Sequence, residues 1–154
     1  MPSEQASEEV SLGLHHIGFV VAEIQSSIHA FRSSLGASWD GLVYEDPKQK
    51  VKVAFLATAP SQGQIELVEP ASSDSPVMKF LRERGGGLHH LCYEVQDLEH
   101  ALAAFKTRGA VIAKRPLPAV AFDGRRIAWI VTPEKLLVEL LEAGNASTGF
   151  TATT

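Results

Sequence analysis

The stretch His15-His16-Ile17-Gly18-Phe19-Val20-Val21 returns 74 positions later as His89-His90-Leu91-Cys92-Tyr93-Glu94-Val95. The same offset relates two sets of apolar residues spaced by four and then three, the spacing of one helix face, namely Ile24, Ile28 and Phe31 against Leu98, Leu102 and Phe105. Similarity that extends beyond one short motif at a constant offset indicates an internal repeat, which has to be recognised before any fold is assigned.

The repeat continues to the end of each copy. Val53-Ala54-Phe55-Leu56 corresponds to Ile127-Ala128-Trp129-Ile130 at the same offset, and Ile65-Glu66-Leu67 corresponds to Val138-Glu139-Leu140 at an offset of 73. One residue fewer in a turn accounts for the change. Four matched segments therefore predict two copies of one structural module.

Each copy predicts a strand, a helix and three further strands, so the fold class is α+β with two βαβββ modules forming a curled mixed sheet. The predicted elements of the first copy are strand 16–21, helix 24–35, and strands 42–45, 51–57 and 64–69. Those of the second copy are strand 90–95, helix 98–108, and strands 111–114, 126–131 and 136–141. The first module spans residues 14–70 and the second spans residues 88–142.

The remaining segments are predicted as a lead-in, a joint and a tail. Residues 1–13 are polar and acidic at their start and are expected to be disordered, as is the tail at 143–154. Residues 71–87 are expected to form a linker helix, with Asp74 or Ser75 as N-cap and Pro76 in its first turn, followed by a joint of three glycines.

Composition excludes several classes of protein. The net charge of −4, from 14 basic and 18 acidic residues, offers no basic surface for nucleic acid or an anionic membrane. No apolar run approaches the roughly 20 residues needed to span a bilayer. Cys92 is the only cysteine, so no intramolecular disulfide can form. We expect a cytoplasmic protein whose partner is a small molecule.

The repeat places one histidine at the start of each module and one glutamate in its last strand, giving a candidate ligand set of His16, Glu66, His90 and Glu139. A carboxylate between strand apolars must face solvent, pair with a cation or bind a metal, because burying it bare is prohibitive. Taken singly, each glutamate is better explained as a solvent-facing residue. Its recurrence with a matching histidine favours ligation of a divalent ion of the Zn, Ni, Co or Mn kind.

Each copy has two adjacent histidines at the start of its first strand, and either could be the ligand. Strand alternation predicts that His15 and His16 point to opposite faces, so that only one can enter a cleft. The repeat itself does not decide which of the two enters. A structural role is the simpler interpretation for His15 and His89.

The set of motifs resembles the vicinal oxygen chelate superfamily, closest to its methylmalonyl-CoA epimerase and glyoxalase I-like branch. The resemblance covers about residues 14–142, and the segments that carry it are His16-Ile17-Gly18, residues 51–56, residues 65–70, Asp74-Ser75-Pro76 and residues 87–91. It implies the glyoxalase-like fold, often as a homodimer, with His16 and His90 rather than their neighbours as ligands beside Glu66 and Glu139. The chemistry it implies is stabilisation of a substrate enolate by the bound metal, with a carboxylate removing the proton next to the carbonyl.

Two positions depart from the epimerase pattern. The epimerases carry a glutamate base where this chain has Lys48, and their Ala-His-Gly turn is replaced by residues 121–124. A lysine would replace a carboxylate base only if its pKa fell by several units. The expected catalytic carboxylates are therefore Glu139, as ligand and base together, and Glu45 on the preceding strand.

Three functions follow from the resemblance. The first is a metal-dependent epimerase, isomerase or lyase acting on a small carbonyl compound or thioester, and the second is a glyoxalase I-like lyase acting on a glutathione adduct. The third is a non-catalytic drug-binding protein of the bleomycin-resistance kind, which would not need four matched ligands. The substrate class expected for the enzymes is a coenzyme A or glutathione thioester.

Overall fold

The computed structural model describes residues 9–60 and 62–144, so most of the predicted lead-in and tail lies outside the described residues. The first module contains β1 (Gly13–Val20), α1 (Ile24–Leu35), β2 (Ser38–Trp39), β3 (Tyr44–Asp46), β4 (Val51–Ala57) and β5 (Gln64–Pro70). The joint contains α2 (Met78–Arg84). The second module contains β6 (Gly87–Val95), α3 (Leu98–Thr107), β7 (Val111–Pro118), a 3₁₀ turn (Val120–Phe122), β8 (Arg126–Val131) and β9 (Leu137–Glu142).

The strands form one mixed sheet that confirms the predicted fold class. Its order is β2-β4-β5-β1-β6-β9-β8-β7, with β3 also paired to β4. Within each module the first and last strands pair in parallel, β1 with β5 and β6 with β9. The modules join edge to edge through the antiparallel pair of β1 and β6. The two halves of the repeat are thus neighbours in one continuous sheet.

The first module has one strand more than the sequence predicts. β2 and β3 both pair with β4 and together take the place that β7 holds along β8. A turn at Asp40 and Gly41 separates them: the Asp40 carboxylate accepts the backbone N–H of Leu42 at 2.9 Å, and Gly41 has a φ of 87°. The prediction of one strand over residues 42–45 missed this interruption.

Two helices cover one face of the sheet. Ile24 and Ile28 of α1 pack on β4 and β5, and Leu98 and Leu102 of α3 pack on β8 and β9. Glu23 begins α1 by accepting the N–H groups of residues 25 and 26, as Asp97 begins α3 at residue 100. With the helices on this face, the other face is left for the functional site. No helix among the described residues is long and apolar enough to cross a membrane.

The predicted N-cap of the linker helix is wrong. α2 begins after Val77, which makes no side-chain capping bond. Asp74 is engaged elsewhere, since its carboxylate accepts the Ser72 hydroxyl at 2.6 Å and pairs with the Lys50 amino group. The backbone carbonyl of Ser75 accepts the N–H of Met78 at 3.0 Å, so residues 75–78 form a turn that precedes the helix.

Candidate metal centre

Two transverse rows of paired residues build the site from both modules. In the first row His90 of β6 lies opposite Gly18 of β1, which is paired in turn with Glu66 of β5. In the second row His16 of β1 lies opposite Cys92 of β6, which is paired with Glu139 of β9. Paired residues project from the same face of a sheet. Each histidine therefore lies beside the glutamate of the other module.

The four predicted ligand side chains converge at the module boundary. Nε2 of His16 lies 3.1 Å from Oε2 of Glu66 and 3.4 Å from Oε1 of Glu139. Nε2 of His90 lies 3.1 Å from the same Glu66 oxygen and 3.2 Å from Nε2 of His16. All four residues are at most 5% exposed. Such a density of buried ionisable groups is typical of functional sites.

Burial and the neighbouring charges move the pKa values of the two carboxylates in opposite directions. Burial would raise the pKa of Glu66, but the imidazoles of His16 and His90 outweigh it and lower that pKa. Burial and the charge of Glu66 together raise the pKa of Glu139. The pKa of His16, which burial alone would lower, is raised by the two carboxylates. Unless a cation is bound, the site therefore disfavours simultaneous ionisation of the Glu66 and Glu139 carboxylates.

The donor set fits a divalent cation. Ligand atoms of His16, His90 and Glu139 lie within 4.8 Å of one another, and Glu66 contacts both histidines. Oε1 of Glu139 is buried without a hydrogen-bond partner among the described residues. A buried carboxylate oxygen without a donor is costly, and a cation would satisfy it. Two imidazoles and two carboxylates suit Zn, Ni, Co or Mn.

The prediction that the two histidines of each pair point to opposite faces is wrong. Between the pairs Leu14–Tyr93 and His16–Cys92 the strand β1 contains one extra residue, His15, and β6 contains His89 as its own extra residue between Gly18–His90 and Phe19–Leu88. A β-bulge re-aims side chains and breaks simple alternation. As a result, Nδ1 of His15 lies 2.9 Å from Nδ1 of His16, and the corresponding atoms of His89 and His90 lie 3.0 Å apart.

The two candidate ligand histidines lie opposite residues of different size, His90 opposite Gly18 and His16 opposite Cys92. A methyl group at Gly18 would lie 2.0 Å from Cε1 of His90, so the imidazole rests directly over the glycine backbone. Its counterpart Cys92 is fully buried, and burial followed by the charge of Glu139 raises the pKa of its thiol. The thiol stays protonated and hydrogen-bonds the Glu139 carboxylate. Cys92 therefore contacts one of the candidate ligands through its thiol.

A cavity of about 230 Å³ opens beside Glu66, His90 and Glu139. Its wall is mainly apolar and includes side chains from both modules, among them Val53, Val68, Ala121, Phe122 and Trp129. Lys114 is the one lysine or arginine on this wall, and no ion pair of its own is found among the described residues. Sequence reasoning missed Lys114, because the run around it gives no signal beyond an ordinary strand.

The second predicted catalytic carboxylate, Glu45, is not brought to the site. Its side chain is exposed and does not line the cavity, whereas its neighbour Asp46 does. Asp46 is 4% exposed and accepts the backbone N–H groups of Lys48, Gln49 and Val120. Those bonds make Asp46 a brace between β3 and the 3₁₀ turn. Lys48 is exposed as well.

Comparison with known proteins identifies relatives in both sequence and fold. The chain is 31% identical to the ethylmalonyl-CoA/methylmalonyl-CoA epimerase of Cereibacter sphaeroides over 76% of this chain and 86% of that protein. Its fold is similar to the crystal structure of methylmalonyl-CoA epimerase from Mycobacterium tuberculosis, with a TM-score of 0.75, 29% identity and coverage of 86% and 88% of the two chains. A hypothetical protein from Bacillus halodurans C-125 matches with a TM-score of 0.77 and 31% identity over 90% of this chain and 99% of its own.

The family model of the glyoxalase/bleomycin resistance protein/dioxygenase superfamily matches residues 15–129, which include three of the four candidate ligands. The fourth, Glu139, follows from the internal repeat and lies in contact with His16. The superfamily predicted from the sequence motifs is confirmed. This chain belongs to the glyoxalase/bleomycin resistance protein/dioxygenase superfamily.

Proposed function

We propose that this protein is a metal-dependent epimerase that acts on a malonyl-type coenzyme A thioester. The observation that carries the proposal is the convergence of His16, Glu66, His90 and Glu139 beside a mainly apolar cavity. The relatives named as epimerases of methylmalonyl-CoA support this substrate class, since they cover most of the chain. A drug-binding protein without chemistry would not need this ligand set.

The same four residues would hold the metal. A divalent cation bound there would stabilise negative charge that develops on a carbonyl oxygen of the substrate. Glu66 and Glu139 lie on strands that flank the two histidine-bearing strands from opposite sides, in the order β5, β1, β6, β9. A substrate bound at the cation would meet one carboxylate from each module, which suits removal of a proton by one and return of a proton by the other.

Glu139 is the base that this arrangement favours, acting as ligand and base together. Its Oε1 has no hydrogen-bond partner among the described residues to hold it, whereas the Glu66 carboxylate contacts both imidazoles. It would take the proton from the carbon next to the thioester carbonyl, the most acidic C–H of such a compound. Lys48, at the position of the expected glutamate, is exposed and takes no part.

The cavity wall provides two further functions. Its apolar side chains exclude water and so strengthen the charge interactions inside. Lys114 would supply the counter-charge for the free carboxylate of a malonyl-type substrate. Lys114 is paired across the sheet with Trp129, and Trp129 is paired with Glu139. The Lys114 amino group and the proposed base Glu139 therefore belong to one row of residues on neighbouring strands.

Exchange and turnover measurements test the proposal. Wild-type protein loaded with Co²⁺ or Zn²⁺ is expected to invert methylmalonyl-CoA and to exchange its C2 hydrogen for deuterium in D₂O. Glu139→Gln should lower both rates by about 10²–10⁴-fold, as loss of a general base does, while Lys48→Ala should change neither. Lys114→Met should raise KM much more than it lowers kcat.

A glyoxalase I-like activity is the second candidate, favoured by the presence of a single unpartnered carboxylate oxygen. Moving a proton between adjacent carbons needs one base on one face, and Glu139 alone would suffice. Turnover of a glutathione hemithioacetal without turnover of the coenzyme A thioester would replace the first proposal with this one. Tight binding of both compounds without turnover of either would instead indicate a binding protein.

The expected homodimer and cytoplasmic location belong to the same proposal. Light scattering of the purified protein tests the first, and fractionation of the source cells tests the second. Because all four candidate ligands belong to one chain, dilution to the monomer should not release the metal.

A further inference from the structure

The bulged histidines His15 and His89 are the same position of the repeat, 74 residues apart, and each makes the same contact. In both pairs Nδ1 of the bulged residue lies within 3.0 Å of Nδ1 of the ligand histidine that follows it. The rings of each pair stand at 80° and 87° to one another, with centroids 5.2 Å apart. Two bulges with one outcome indicate a function beyond filling space.

A cation bound at Nε2 would define which nitrogen of each contact carries the proton. A hydrogen bond between two ring nitrogens needs one N–H and one lone pair. Nε2 of His16 and of His90 faces the carboxylates, and a nitrogen that binds a cation has no proton. The neutral ligand imidazole then carries its proton on Nδ1 and donates it to the bulged histidine. The bulged histidine accepts at Nδ1 and is protonated at Nε2.

We propose that His15 and His89 are positioning residues, which hold the ligand imidazoles of His16 and His90 in the Nδ1-protonated tautomer and in the orientation that presents Nε2 to the cation. This rests on the proposed metal centre but not on the reaction it catalyses. The aromatic neighbours support it by restricting the bulged rings, since Phe80 lies edge-on to His89 at 4.9 Å and Phe122 edge-on to His15 at 5.3 Å.

Protonation of His89 at Nε2 distinguishes it from a group that could remove a proton from the substrate. His89 lines the cavity and could be mistaken for a base. While its Nδ1 accepts from His90, its other nitrogen is an N–H, so it offers the substrate a hydrogen-bond donor and no free lone pair. We therefore assign proton removal to Glu139 and not to His89.

Paired substitutions test the inference through metal affinity. His15→Phe and His89→Phe keep a ring of similar size but lose the acceptor, whereas His15→Asn and His89→Asn retain an acceptor oxygen near the position of Nδ1. The Phe variants are expected to bind Co²⁺ about 10–100-fold more weakly, as loss of an outer hydrogen-bond partner does, and to alter the visible absorption spectrum of bound Co²⁺. The Asn variants should recover most of the affinity. The exposed His29→Phe serves as control.

Three results would overturn the inference: wild-type Co²⁺ affinity and spectrum in the Phe variants, Asn variants as weak as the Phe variants, or a wild-type chain that binds no Co²⁺ or Zn²⁺. If a variant fails to fold, imidazole ¹⁵N spectra of the Zn²⁺-loaded wild-type protein decide, because protonation of His15 and His89 at Nδ1 contradicts it. Metal binding without turnover would refute the proposed function alone.

Discussion

Replacing Gly18 by alanine adds one methyl group directly beneath a ligand imidazole. The new Cβ would lie 2.0 Å from Cε1, 2.2 Å from Nδ1 and 2.5 Å from Nε2 of His90. Carbon atoms in contact are separated by about 3.5–4.0 Å, so the ring would have to move by about 1.5 Å. Trp129 lies edge-on to the same ring at 4.7 Å, and the ring is held at both nitrogens.

The displacement has two costs. Overpacking a buried site costs about 1–3 kcal/mol, and stretching the contact between His90 and Glu66 loses a charge-assisted hydrogen bond of about 1.5–3 kcal/mol. We expect Gly18→Ala to lower the free energy of unfolding by about 3 kcal/mol, which corresponds to a fall in Tm of about 6–12 °C for a chain of this size. Affinity for Zn²⁺ should fall by at least about 10-fold, because one ligand no longer reaches the site.

Calorimetric melting and titration with Zn²⁺ measure both effects, and the same strand offers a matched control. Gly13 also belongs to β1, but a Cβ added there meets nothing within 4 Å. Gly13→Ala should therefore leave Tm and affinity close to the wild-type values. Equal Zn²⁺ affinity in Gly18→Ala and Gly13→Ala would refute the claim that the His90 imidazole needs the space above Gly18.

Three further predictions follow. Asp46→Asn should lower the free energy of unfolding by about 2 kcal/mol at neutral pH, because hydrogen bonds to the carboxylate are lost. Burial would raise the pKa of Asp46, but its hydrogen bonds outweigh burial and lower the folded-state pKa from the ordinary 3.8, so this stabilisation is complete above pH 3.8 and is lost as the pH falls through the lowered value. Urea titrations should therefore show the advantage of the wild-type protein shrinking only below pH 3.8. Phe122→Ala removes a 7% exposed ring that stacks on His16 and should cost about 3–5 kcal/mol by denaturant unfolding, a loss under 1 kcal/mol being inconsistent with the packing described. Zn²⁺ at 100 times its Kd should stabilise the wild-type protein by about 2.7 kcal/mol, and Glu66→Ala or His90→Ala at the same concentration by clearly less; equal shifts in all three proteins would exclude these residues as ligands.

The two candidate glutamates could be predicted from the repeat, whereas the choice of His16 and His90 over their neighbours came from the family resemblance. The repeat assigns the same role to Glu66 and Glu139, at an offset one residue shorter than that of the histidines, and the structure places both beside His16. Elements with strong local signals were also predictable. The helix α1 begins and ends at the predicted residues. It ends there because Gly36 adopts a left-handed conformation with a φ of 64°.

Features that depend on pairing between distant strands could not be predicted. A bulge is defined by the partner strand, so alternation along β1 alone assigned His15 to the wrong face. The predicted strand ended at Lys114, before Pro116 and Pro118. In the structure β7 continues to Pro118, because it lies at the edge of the sheet, where proline is tolerated.

The crossing of ligands between the halves has a consequence for a half-length polypeptide. His16 contacts Glu139 of the other half as well as Glu66 of its own, and His90 contacts Glu66. A chain of about residues 9–70 would therefore carry one imidazole and one carboxylate, half of the set, and would need a second copy to supply the rest. Such a fragment would capture a cation only after two copies had paired along their first strands. Its apparent affinity for the ion would rise with protein concentration, whereas that of the full chain would stay constant.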